Sequence, residues 1–192
     1  LKRMAENGAQ VCGIHIREPD GWNIDAVEKH LTGQAIVVVE FALRQRGLIV
    51  APGNPHDIRT VAELVGKRFA NRQNTAASRL LFDELLSNAS IDPATISGPQ
   101  TPARTEDDVA RLILENHADA ALGLLASART FRLGFVPLLE ERFDLVISRK
   151  AWFDPPFQRL LSFMRSAKMT EKAAELGGYD ITGLATIHFN GR

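Results

Sequence analysis

Short runs of β-branched and other apolar residues alternate with amphipathic segments of helical length along the whole chain. The apolar runs predict strands at 10–16 (QVCGIHI), 35–51 (AIVVVEFALRQRGLIVA, two strands or one long bent one), 68–71 (RFAN), 119–124 (DAALGL), 135–138 (FVPL) and 142–148 (RFDLVIS). Helical spacing predicts helices at 24–31, 60–64, 76–87, 106–116, 127–132, 155–165 and 170–176, and the opening LKRMAENGA is helix-like. Turn residues divide these segments: APGNP at 51–55, a Pro, Thr and Gly-rich loop at 92–105, and FDPP at 153–156, with proline in the first turn of the next helix. This alternation predicts α/β layers on a largely parallel sheet. No linker-like stretch or repeat splits the chain, so two lobes would have to exchange strands rather than hang on a tether.

Composition narrows the classes. Apolar residues make up 45% and charged residues 24%, as in a soluble globular protein. Lys plus Arg and Asp plus Glu both number 23, which leaves no basic excess with which to grip nucleic acid. Glu40 interrupts the longest apolar run, so no segment is expected to span a membrane. Cys12 is alone and the five histidines show no zinc spacing, so neither a disulfide, a metal nor a cofactor is expected. Nucleophile elbows, HExxH, P-loops and dinucleotide fingerprints are all missing, and the expectation is a protein that is not an enzyme. The chain begins at Leu1 directly on a helix-like stretch, which reads as a fragment of a longer protein.

Candidate chemistry gathers in FANRQNTAASRLLFDELL, residues 69–86. A strand end feeds a polar turn, Asn71 to Thr75, into a helix start, where free N–H groups and the helix dipole favour an anion. Gln73, Asn74, Thr75 and Ser78 either face a ligand there or cap the helix. Arg79 either clamps an anion or pairs with Asp83 one turn on. Elsewhere, His15 ends a strand, and Trp22 and Asn23 follow in a loop. Of Arg44, Gln45 and Arg46 one should reach a ligand, and Arg44 is the candidate. Gly123 and Ser127 bracket a strand-to-helix turn suited to an anion. Glu140 and Glu141 read as solvated hinge residues, and nothing indicates that Glu141 or Asp144 meets His15.

Taken in order, RQRGLIVAPGNP, NRQ…R.LFDELL, ADAALG and FVPLLEERFDLVI resemble the periplasmic-binding-protein-like domain related to molybdate-binding proteins. The likeness runs from about Leu1 to Asp180. It implies an α/β, two-lobed type II periplasmic-binding-protein-like fold, lacking its first strand and helix, with a ligand cleft between lobes. Lobe I would take 1–41 and 139–192, lobe II 42–138, with hinges near 37–44 and 139–145. Such domains are often joined to helix-turn-helix regulators or molybdopterin-biosynthesis domains. The implied role is a sensor for a small anion or oxyanion, molybdate-like, in a transcriptional regulator or transport-related protein. Nucleic acid would be reached only through a separate domain, a homodimer is possible, and the location is cytoplasmic, with periplasmic as the alternative. The family's Gly-Ser-Gly-Thr-Arg turn is Thr75, Ala76, Ala77, Ser78 and Arg79 here, its Gly-Tyr is Gly98 and Pro99, and its histidine falls among Glu106, Asp107 and Asp108. These departures imply a changed ligand. The alternative is an interaction or dimerisation module whose cleft no longer binds.

Overall fold

The apolar run at 36–39 is buried residue after residue because helices cover both faces of the strand that contains it. Ile36 and Val38 pack with Met4, Val27 and Leu31 on one face, and Val37 and Val39 with Ala151, Phe157 and Leu161 on the other. The structure, a computed structural model, describes residues 1–191. In chain order its elements are α1 (Lys2–Ala5), β1 (Val11–Ile14), β2 (Arg17–Glu18), β3 (Gly21–Trp22), α2 (Ile24–His30) and β4 (Ile36–Val50). There follow α3 (Ala77–Asn88), α4 (Glu106–Leu114), β5 (Ala120–Leu124), α5 (Leu125–Thr130) and β6 (Gly134–Ser148). The chain continues through α6 (Arg149–Phe153), α7 (Pro155–Met164), α8 (Ala167–Leu176), β7 (Tyr179–Asp180) and β8 (Ile187–Asn190). Short 3-10 turns occupy Val61–Leu64 and Pro93–Thr95.

Two compact units result. Unit 1 holds Leu1–Arg44, Glu141–Glu175 and Tyr179–Arg192, and unit 2 holds Gln45–Glu140 with Leu176–Gly178. The chain passes between them inside β4 and inside β6, and again on either side of Leu176–Gly178, so no long tether joins them. The 35–51 run forms one 15-residue strand, Ile36–Val50, and 135–138 and 142–148 are parts of another, Gly134–Ser148.

The expectation of a largely parallel sheet is wrong. In unit 1, β1 pairs antiparallel with β6 (Cys12 opposite Val146), and β7 and β8 pair antiparallel with β4. In unit 2, β5 pairs antiparallel with β4, setting Gly47 opposite Gly123. Isolated bridges at Arg68, Phe69 and Arg72 are parallel, and 68–71 is not a regular strand. Doubly covered strands read as continuous apolar runs whichever way their partners point, so the run carried no information on direction.

Unit 2 repeats the two-faced logic. Leu48, Val50, Ala120 and Leu122 pack with Phe69, Leu81, Phe82 and Leu86, while Ile49 and Ala121 pack with Val109, Ala110, Ile113 and Ala128. α3 thus covers one face of the β4–β5 ladder, and α4 and α5 the other. A Cβ at Gly47 would lie 2.1 Å from the Val136 carbonyl oxygen, which leaves no room for a side chain, and one at Gly123 would lie 2.4 Å from Ile49 Cδ1 and force that side chain to shift.

Two carboxylates give the fold opposite responses to pH. The Arg68 guanidinium donates to Asp119 at 2.6 and 3.1 Å and holds its carboxyl below the ordinary 3.8. Burial pushes the Asp144 carboxyl above 3.8, against hydrogen bonds from Asn23 and Arg142. Asp119 therefore contributes stability above the ordinary value that is lost as pH falls through its lowered folded pKa. For Asp144 the folded state holds the proton more tightly, so stability declines as pH rises from 3.8 through its raised value. Denaturant unfolding across pH is expected to lose its acid-side fall in Asp119→Asn and its decline above the ordinary value in Asp144→Asn.

Candidate functional site

Both units carry buried polar clusters. In unit 1 one of them centres on Glu141, whose side chain is 0% exposed. Arg44 donates to its Oε1, and His15 Nδ1 lies 3.1 Å from its Oε2. The Arg44 guanidinium also lies over the Phe143 ring, 4.2 Å from its centre. The expectation of a solvated Glu141 is thus overturned, while Glu140 is exposed. Alternation along β4 explains the cationic triplet: Arg44 and Arg46 turn inward and Gln45 faces solvent.

Asn23 lies inside unit 1 at 0% exposure. Its Oδ1 accepts from the Ile16 amide at 2.6 Å, and its Nδ2 donates to Asp144 Oδ2 at 2.8 Å and toward the Arg142 carbonyl at 3.5 Å. With φ at +75°, a conformation asparagine tolerates better than most residues, it turns the chain into α2. Its amide is consumed in pinning the loop to β6, which corrects the expectation of a ligand contact. Trp22 accepts from Arg142 Nη2 through its carbonyl at 2.7 Å.

In unit 2 the polar turn leads into α3, whose N-cap is Ala76 with no side-chain cap. Neither Asn74 nor Thr75 takes the capping role, and both are exposed. The contrast with α4 is direct: Thr105 Oγ1 there accepts from the Asp108 amide at 3.0 Å, and Asp108 Oδ2 accepts from the Thr105 amide at 2.9 Å. Ser78, in the first turn of α3, is buried at 2% exposure. Ser127 on α5 is 8% exposed. Gln73 is half-buried, its Oε1 has no partner, and with Thr101, Pro102 and Arg104 it lines a hollow of about 570 Å³. Arg79 is held by Asp83, its Nε 2.9 and 3.0 Å from the two carboxylate oxygens, so the ion-pair alternative is the one formed.

Two residues outside the expected set complete this region. Arg72 Nη1 donates to Glu106 Oε1 at 3.0 Å, and Arg46 Nη1 lies 3.2 Å from the same oxygen and 3.4 Å from Oε2. Arg72 Nη2 also donates to the Arg104 carbonyl at 2.9 Å. Gly123 lies beside this group, a Cβ there reaching 3.7 Å from Glu106 Oε2. Arg72 stands between Asn71 and Gln73 in the same polar turn, and its charge was the available signal.

Among the described residues no helix is long and apolar enough to cross a membrane, and no group of three His, Cys, Asp or Glu could hold a metal ion.

Comparison with known proteins places this geometry. The sequence model of a family described as the PBP superfamily domain matches residues 1–165. YvgK, an uncharacterized protein of Bacillus subtilis (strain 168), is 25% identical over 181 residues, which take in 92% of this chain and 58% of that protein. A structure from Clostridium perfringens, described as a phosphate ABC transporter substrate-binding protein with bound phosphate, superposes with a TM-score of 0.66 at 9% identity, covering 96% of this chain and 82% of that one. The Synechocystis PCC6803 CcmR regulatory domain in complex with 2-PG superposes with a TM-score of 0.63 at 10% identity, over 84% of this chain and 74% of that one. At such identities the solved structures establish the fold, which is that of type II periplasmic-binding-protein-like domains. The extent of the family match and the two α/β units joined through shared strands lead to one assignment: the chain belongs to the PBP superfamily domain family.

Proposed function

We propose that this chain is a non-catalytic sensor domain that takes a small anionic ligand at the polar corner of unit 2. One observation carries the reading. The twelve-residue helix α3 begins at Ala76 with no side-chain cap, directly after the polar turn and with Ser78 in its first turn. The first N–H groups of a helix without a side-chain cap are donors for a ligand oxygen, and the helix dipole favours its charge. Thr75, Gln73 and Asn74 stand in the preceding turn, and Arg72 brings a cation to it. The bound phosphate of the C. perfringens neighbour and the regulatory role of the Synechocystis one support an anion and a signalling use. Within a longer, cytoplasmic regulator, the bound state would be passed to a separate nucleic-acid-binding domain.

Calorimetric titration with phosphate, sulfate, molybdate, glycolate and glycine tests this. At least one of them is expected to bind, and Ser78→Ala is expected to weaken that binding by about 1–3 kcal/mol. Equal affinity in Ser78→Ala would remove the corner from the site.

A further inference from the structure

Glu106 is the most accessible member of the charged group in unit 2. Its side chain is 24% exposed, against 14% for Arg72 and 1% for Arg46. Both guanidinium groups already point at its Oε1, at 3.0 and 3.2 Å. A ligand approaching these cations therefore meets a carboxylate first. Its Oε2 has one long contact to Arg46 Nη1, at 3.4 Å, and lies beside the side-chain-free Gly123. An ionised carboxylate only accepts hydrogen bonds, so Oε2 is open to an incoming N–H or O–H and repels an oxygen that carries none.

We propose that Glu106 is a specificity-determining residue, which makes the seat of unit 2 select anions bearing a hydrogen-bond donor and reject fully deprotonated oxyanions. The inference rests on the reading of unit 2 as the ligand-binding part. The ligand class is then a hydroxylated, protonated or amino-bearing small anion, with its negative end on Arg72 and its donor on Glu106. Molybdate and sulfate, acceptors on every oxygen, fall outside that class. Hydrogen phosphate matches sulfate in shape and differs from it by a proton, so the pair isolates the effect.

The test is calorimetry of the wild-type chain and Glu106→Gln with hydrogen phosphate, glycolate and glycine against sulfate and molybdate, with circular dichroism to establish folding. The wild type is expected to prefer at least one donor-bearing anion over sulfate and molybdate by about tenfold or more, and Glu106→Gln to shrink that preference by about tenfold through tighter sulfate and molybdate binding. Sulfate or molybdate binding the wild type as tightly as the donor-bearing anions would overturn the role of Glu106 and leave the site itself standing. An unchanged preference in folded Glu106→Gln would do the same. Should no anion bind the wild type, the site and the role of Glu106 fall together. If Glu106→Gln does not fold, wild-type selectivity decides alone.

Discussion

Replacing Glu141 with Leu is expected to destabilise the protein by about 3–5 kcal/mol, the cost of leaving a buried charge without its partner. Glu141 is fully buried and takes hydrogen bonds from Arg44 and the His15 ring. Arg44, 11% exposed in its side chain, has little water to turn to once the carboxylate is gone. Breaking a buried pair from one side is far more costly than replacing both partners with apolar groups. Arg44→Met combined with Glu141→Leu is therefore expected to recover part of the loss, and Glu141→Gln, which keeps the shape and an acceptor, to cost less than Glu141→Leu. Denaturant unfolding measures all three. A loss below about 1 kcal/mol for Glu141→Leu would mean that water reaches Arg44 and that the cluster adds little to the stability of unit 1.

The second large effect lies in the core of unit 2. Phe69 and Phe82 stack with ring centres 3.9 Å apart and planes within 6° of parallel, at 1% and 2% exposure. Phe82 comes from α3 and Phe69 from the segment beneath it, so the pair fixes how the helix sits on its own sheet. Phe82→Ala is expected to cost about 3–5 kcal/mol through lost burial and the cavity left among Leu48, Leu81 and Leu86. Because α3 carries Ser78 at its start, the same variant is expected to weaken ligand binding even though Phe82 touches no ligand. Phe82→Leu, which refills most of the space, should cost less on both readouts. Full affinity in a folded Phe82→Ala chain would show that the helix start is held by something other than this packing.

Most element positions were legible in the sequence because amphipathic spacing and turn chemistry acted together. Glu106–Leu114 begins within a residue of its expected start, at a Thr105 capping box. β4 and β6 were legible as apolar stretches but not as two unbroken strands, since period alone cannot reveal where a strand passes from one unit to the other. Strand direction was illegible for the reason already given by Ile36 to Val39: burial on both faces erases the alternation that marks an antiparallel sheet.

The candidate site was legible in part. The polar turn before α3 stood out because so many hydrogen-bonding residues precede an apolar helix, and its helix start is indeed left without a side-chain cap. Asn23 misled because its type suits a ligand, whereas a positive φ and a buried carboxylate neighbour are properties of the folded chain. Glu141 and His15 lie 126 positions apart, and local pattern carries no signal for such a meeting. Glu106 was visible as an acid at a helix start, but only the coordinates bring Arg46 and Arg72 to it.

The central claim is that the start of α3 receives a small anion, and the most direct measurement is nuclear magnetic resonance of isotopically labelled chain titrated with hydrogen phosphate and glycolate. The amides of residues 75–79 and the Arg72 side chain are predicted to shift together and to saturate with one of these anions. Resonances there that stay still at millimolar concentrations of both would contradict the account.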